Sequence, residues 1–365
     1  MYIGRFTQIK VFIHWSFLLL IGYIVYAGVS AGQTTEAISW HLLFILTIFL
    51  CVVLHEFGHA LTARRFGFKT KDIILLPIGG VARFEELPEN PKQEFLVAIA
   101  GPMVNFLIAF LLYLLIGPAV HSMLDSSITL IDASNFLTQL LVINLLLGLF
   151  NLIPAFPMDG GRIFRAVLSM FLPRVKATKM AAGLGFIFAT GFVFIGFFYN
   201  PFLILIGVFI MLSASSESSL VSTQALLKGH TAGEIVMYHF ASLDSDMTLA
   251  EASKAVLDEQ ATNFTVTSNG TEILGALNRD QIIKSLTSKD HQLTKLAELM
   301  NPITLTVHVQ TPLKELYSNP VIRTNVLVPV TDEGEVVGVI NLENIMEFLA
   351  IKKATPMWRR LLARK

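Results

Sequence analysis

Six apolar stretches dominate the chain, at about 11–31, 39–62, 95–120, 133–156, 181–199 and 201–214, each nearly free of charge. Most approach the roughly 20 residues that a helix needs to cross the hydrocarbon of a bilayer. Backbone inside lipid has to satisfy its own hydrogen bonds, so residues 1–215 are expected to form a membrane α-helical bundle of six transmembrane helices. Composition agrees: 53% of residues are hydrophobic and 15% charged, with a mean hydropathy of +0.63. An ordinary soluble enzyme and a disordered chain are excluded. With 27 basic and 27 acidic residues there is no global positive field, so nucleic acid is not an expected partner. The single cysteine, Cys51, rules out an intrachain disulfide.

Basic residues set an orientation. Arg5 and Lys10 precede the first stretch; Arg64, Arg65, Lys69, Lys71, Arg83 and Lys92 follow the second; Arg162, Arg165, Arg174, Lys176 and Lys179 follow the fourth. Segments 31–40 and 121–132 carry neither Lys nor Arg. By the positive-inside rule the chain is expected in the cell (inner) membrane, multi-pass, with both termini and the basic loops cytoplasmic. The first stretch is long and lacks a fitting cleavage site, so it reads as a retained anchor.

Beyond Leu212 a serine-rich stretch leads into polar sequence. The expected organisation is a membrane domain at 1–215, a linker at 216–230, a cytoplasmic α/β domain at 231–350 and a basic tail at 351–365 containing Trp358. The α/β part repeats with a spacing of about 64: Met237 answers Met300, Thr248-Leu249 answers Pro312-Leu313, Gly270 answers Gly334, and Gly275 answers Gly338. Asn263 to Thr267 and Val326 to Val330 read as buried strands ending in Gly turns, giving two β-α-β-β-α copies. This unit resembles a tandem CBS domain. That resemblance implies a regulatory module and an adenine nucleotide ligand. The stretches where the family carries a hydroxyl residue hold Asn278 and Asn341 instead, which leaves nucleotide binding, homodimerisation and substrate docking all open. The tail either lies on anionic lipid or is a solvated end.

Chemistry concentrates in the second apolar stretch, which contains His55-Glu56-Phe57-Gly58-His59. Helical spacing of four puts both imidazoles on one face, able to hold one Zn²⁺, with Glu56 beside them to accept a proton from water. A merely packed histidine pair is the alternative; polar groups in a membrane helix are costly unless they line a cavity or bind metal. His55 precedes Arg64 by nine residues, roughly 13 Å inside the cytoplasmic edge at 1.5 Å per residue. A third ligand is needed. His41 is roughly 21 Å away along the same helix, and His121 is near the opposite membrane face. His14 begins the first helix with Trp15 at the interface, where an aromatic anchor is expected, a catalytic part being the other reading. Asp159 remains, at comparable depth in Asn151-Leu152-Ile153-Pro154-Ala155-Phe156-Pro157-Met158-Asp159-Gly160-Gly161, where the prolines and glycines permit irregular backbone around a cavity. Gly101 and Asn105, four apart, read chiefly as close helix packing, the alternative being an amide placed by the zinc; Cys51, one turn before His55, reads chiefly as ordinary core, the alternative being a thiol near the metal.

His55-Glu56-x-x-His59 in one membrane helix, with Asn151-x-x-Pro154 leading to Asp159-Gly160 in a later one, resembles the site-2 protease family of intramembrane zinc metalloproteases. The C-terminal CBS pair makes it similar to the sporulation-protease branch. The resemblance implies one zinc per chain on His55, His59 and Asp159, Glu56 as general base, and Asn151 as oxyanion or substrate-backbone donor. A helix-to-helix hydrogen bond is the other use for Asn151. It further implies hydrolysis of peptide bonds in or near a transmembrane helix of a membrane-protein substrate, releasing a tethered regulator. Residues 71–84 are rich in β-formers and broken by Pro77 and Gly79-Gly80. They read as a re-entrant β-hairpin whose edge around Ile78 to Val81 captures unwound substrate, or as a loop that caps the bundle. A CBS-regulated membrane transporter and a noncatalytic scaffold of the same fold are the rival readings.

Overall fold

The computed structural model describes residues 1–77, 79–84, 88–117, 131–259, 261–270, 272–287, 293–324 and 326–362; His121, Ile78, Arg364 and Lys365 lie outside them. The chain divides into two units, Met1–Val221 and Ser222–Lys365.

Among the described residues four helices, 25 to 31 residues long, are apolar enough to cross a membrane: α2 (Thr35–Arg65), α3 (Pro91–Ile116), α6 (Arg174–Phe198) and α7 (Pro201–Leu227). Two shorter apolar helices, α1 (Ser16–Ser30) and α4 (Phe136–Asn151), accompany them. A seventh, α5 (Asp159–Ser169), is short and amphipathic. Helix ends follow local chemistry. Thr34 caps α2 by accepting from Ala37 N, and Arg64 and Arg65 complement its C-terminal dipole. Asn90 caps α3 ahead of Pro91, whose missing N–H costs nothing in the first turn.

Polarity is inside out. Leu46, Leu50 and Leu54 of α2 and Leu107, Leu111 and Leu114 of α3 are exposed, whereas His55, His59, Asn105 and Asn144 are buried. Apolar surroundings reward this arrangement, which water would penalise. Small residues bring α2 and α3 together: a Cβ on Gly58 would stand 2.8 Å from Ala100 O.

The first stretch begins differently from expectation. Residues 2–13 form a hairpin, β1 (Tyr2–Phe6) and β2 (Ile9–Ile13), turned through Thr7 and Gln8 at positive φ. Strand β2 pairs in parallel with β3 (Thr70–Leu76), which pairs antiparallel with β4 (Gly79–Phe84), giving a four-stranded sheet in the order β1-β2-β3-β4. Ile9, Val11 and Ile73 are buried with Ala60 of α2, while Lys10 points out. That two-residue alternation makes this segment strand, so the helix starts only at Ser16.

Helix α5 is anchored by charge. Arg165, 1% exposed, pairs with Glu94 of α3 and Glu217 of α7, and Arg174 reaches Glu94 at 2.9 Å. Each buried charge has an opposite partner, which is the condition for tolerating it there. The serine-rich stretch 213–222 is helical: α7 runs to Leu227, leaving only 228–230 of the expected linker outside it.

The second unit contains two similar copies. The first holds β5 (Ser242–Asp244), α8 (Leu249–Glu259), β6 (Asn263–Ser268), β7 (Glu272–Asn278) and α9 (Arg279–Leu286). After α10 (Leu296–Leu299) and β8 (Asn301–Pro302) comes the second: β9 (Val307–His308), α11 (Leu313–Ser318), α12 (Pro320–Arg323), β10 (Val328–Asp332), β11 (Glu335–Ile340) and α13 (Leu342–Leu362). Both β-hairpins turn through a positive-φ pair, Asn269-Gly270 and Glu333-Gly334, and in the second these two residues are the whole connection between Asp332 and Glu335. The copies exchange edges. Strand β8, which leads into the second copy, pairs with β7 of the first, and Met237, ahead of the first, bridges Val339 of the second. Asn278 caps α9 by accepting from Asp280 N, and Asn341 and Asn344 accept reciprocally from each other's backbone N–H.

Candidate metal centre

His55 and His59 stand one turn apart on α2 with their rings edge to face, centroids 4.8 Å apart. Asp159, the first residue of α5, brings Oδ2 to 3.1 Å from His55 Nε2 and 3.0 Å from His59 Nε2, across about a hundred residues of sequence. The three ligand atoms lie within 4.8 Å of one another, and all three residues are buried. Local sequence makes this meeting possible. Pro154 and Pro157 end the helical run after α4, and glycine at 160 and 161 lets α5 start hard against it: a Cβ on Gly160 would collide with the carbonyls of Leu152 and Ile153.

Both imidazoles present the same nitrogen. His59 Nδ1–H donates to Val97 O at 2.7 Å, with Nε2 turned to Asp159. His55 Nδ1 lies 2.5 Å from Asn105 Oδ1, with its Nε2 likewise turned to Asp159. Two imidazole nitrogens and a carboxylate oxygen form a donor set of the kind that holds catalytic zinc.

The space in front of those nitrogens exists because residue 101 is glycine. A Cβ there would lie 2.6 Å from His55 Nε2 and closer still to His59 Nε2. The residues present therefore fit a zinc ion. Gly101→Ala is expected to lower zinc affinity by more than the ~10–100-fold typical of losing an outer partner, with helix content retained. Zinc titration against a competing chelator, with circular dichroism alongside, checks this.

Glu56, next to His55, accepts from Ala82 N of β4 at 3.1 Å through Oε2. Gly80 leaves room for its side chain, since a Cβ there would be 2.8 Å from Glu56 Cγ. A cavity of about 760 Å³ brings together His55, Glu56, His59, Asp159, Asn151 and the β4 edge, and is walled on one side by Phe202, Leu205 and Phe209 of α7. Asn151 lines it while donating one Nδ2 hydrogen to Leu147 O at 3.0 Å.

Other candidates stand elsewhere. His14 bonds Ser16 Oγ at 2.7 Å at the foot of α1, and His41 bonds Ala37 O on its own helix. Asn105 and Gly101, read from sequence chiefly as packing, touch the imidazoles directly. Their four-residue spacing opposite the histidine pair was the available signal, but it acquires meaning only from the register between α2 and α3.

Comparison with known proteins gives consistent results. Residues 43–194 match the family model described as peptidase family M50, and residues 296–351 match the CBS domain. A zinc metalloprotease of Methanocaldococcus jannaschii is 33% identical over 349 residues, covering 95% of each chain. Stage IV sporulation protein FB of Bacillus subtilis is 32% identical over 144 residues, 39% of this chain and 46% of that one. A solved site-2 protease from Methanocaldococcus jannaschii is 35% identical with a TM-score of 0.44, covering 60% of this chain and 94% of that chain.

Proposed function

Because the chain belongs to peptidase family M50, the site-2 proteases, we propose that it is an intramembrane zinc metalloprotease hydrolysing peptide bonds in or beside transmembrane segments of membrane-tethered regulatory proteins. The observation that supports this most is the convergence of His55, His59 and Asp159 on one buried point beside Glu56.

In this reading His55 Nε2, His59 Nε2 and a carboxylate oxygen of Asp159 are the ligands. Zinc held there supplies Lewis acidity that polarises the scissile carbonyl and acidifies water. Glu56 takes the proton of the attacking water on a carboxylate oxygen and returns it to the leaving amine. Asn151 keeps one amide hydrogen for the developing oxyanion, its other being held by Leu147 O. The wall of Phe202, Leu205 and Phe209 excludes bulk water and receives apolar substrate side chains. Strand β4 ends its sheet, and Gly79, Gly80 and Ala82 line the same cavity, so its edge receives unwound substrate by strand addition.

The proposed topology has six crossings, with α1 and α4 as the shorter two, a re-entrant β3-β4 hairpin, and both termini cytoplasmic. Residues 1–215 are the protease domain, 216–230 connect, 231–350 form a CBS pair and 351–365 a basic tail. Asn278 and Asn341 are engaged as helix caps, so the pair is proposed to act through homodimerisation ahead of nucleotide binding.

Purified chain is expected to carry close to one zinc. Stripping it with a chelator is expected to stop cleavage of a membrane-embedded substrate, and zinc to restore it. A metal-free preparation that cleaves at the full rate overturns the proposal.

A further inference from the structure

Behind His55, away from Asp159, a chain of buried amides crosses three helices. His55 Nδ1 meets Asn105 Oδ1 on α3 at 2.5 Å; Asn105 Nδ2 donates to Asn144 Oδ1 on α4 at 2.9 Å; Asn144 Nδ2 donates to Leu140 O at 2.8 Å and lies 3.5 Å from Cys51 Sγ on α2. Asn105 is 1% exposed and Asn144 fully buried. Two amides here, inside a bundle whose other faces are apolar, are expensive unless every polar atom is used.

The order of donors and acceptors is forced from one end. Leu140 O can only accept, so the atom of Asn144 facing it is Nδ2, and the atom facing Asn105 is Oδ1. An acceptor there requires Asn105 to present Nδ2, which turns Asn105 Oδ1 towards His55. Facing an acceptor, His55 Nδ1 must carry a proton, so the nitrogen it can offer a metal is Nε2, on the side of His59 and Asp159. A carbonyl one turn back on α4 thus dictates which imidazole nitrogen is available.

We infer that Asn144 is a positioning residue for the metal centre, acting through Asn105 to hold His55 in the tautomer that offers Nε2. The inference rests on the proposed zinc ligation by His55. Without Asn144, the Asn105 amide loses what fixes its orientation and can turn Nδ2 to the imidazole. His55 Nδ1 then accepts, the proton moves to Nε2, and the ligand nitrogen is blocked.

The test compares the unaltered chain with Asn144→Leu, a change of similar volume, by titrating zinc against a competing chelator. Asn144→Leu is expected to raise the Kd for zinc by about 10–100-fold. Adding Asn105→Asp to it is expected to bring the Kd back towards the original, because a carboxylate accepts through either oxygen and has no wrong orientation. An unchanged Kd in Asn144→Leu overturns the inference. So does a weakened affinity that Asn105→Asp does not restore, which is the outcome for a role in helix packing alone. Should Asn144→Leu fail to fold, NMR of nitrogen-labelled histidine in the unaltered, zinc-loaded chain decides: a proton on His55 Nδ1 supports the inference and its absence there overturns it. Failure of the underlying reading looks different, since the unaltered chain then binds no zinc at all.

Discussion

Glu56→Gln is expected to abolish cleavage while leaving zinc in place. The amide is nearly isosteric, keeps an oxygen to accept from Ala82 N, and lies outside the cluster of His55, His59 and Asp159. What it loses is the ability to take a proton from water and give it up again. General acid-base catalysis contributes roughly 10²–10⁴-fold, and Glu56 is assigned both the basic and the acidic half, so a loss of at least about 10³-fold is expected. Cleavage of a co-expressed membrane substrate and metal content of the purified variant measure the two halves of the statement. A transporter or a noncatalytic scaffold built on this fold predicts unaltered function after the change; cleavage at the wild-type rate removes Glu56 as the base.

Asp159→Ala is expected to lose both zinc and cleavage. The carboxylate is the proposed ligand supplied from outside α2, and its removal leaves two imidazoles four residues apart, a poor chelate for a metal that takes three protein ligands in catalytic sites. The drop in affinity should exceed the ~10–100-fold associated with outer partners. Folding should survive, because α5 is held independently by Arg165 against Glu94 and Glu217. Metal analysis with circular dichroism separates the cases: zinc retained at full stoichiometry excludes Asp159 as a ligand.

The histidine pair was legible because its chemistry is carried by local spacing, which a helix converts directly into a shared face. Asp159 was legible by a different route: few polar residues lie at the right depth, and prolines and glycines mark where the helix gives way. Gly101 and Asn105 were legible only as two alternatives, close helix packing or an amide beside the site, since their contact with the imidazoles depends on how α2 and α3 cross, a tertiary fact with no local periodicity. The N-terminal hairpin was hidden by overall hydrophobicity, although Ile9, Lys10 and Val11 carry an alternation that argues for a strand. The serine-rich stretch misled in the opposite direction. Serine is only mildly unfavourable in a helix, and Ala214 and Val221 are buried along α7. In the second unit, repeat spacing and the Asn269-Gly270 and Glu333-Gly334 turns were visible, but the exchange of edges was not.

That exchange limits how the C-terminal half can be altered. Because each sheet is completed by backbone arriving from the neighbouring copy, excising either one strips pairing partners from the one that remains. The doubled motif is therefore indivisible: shortening, transplanting or shuffling it works only when both halves travel together.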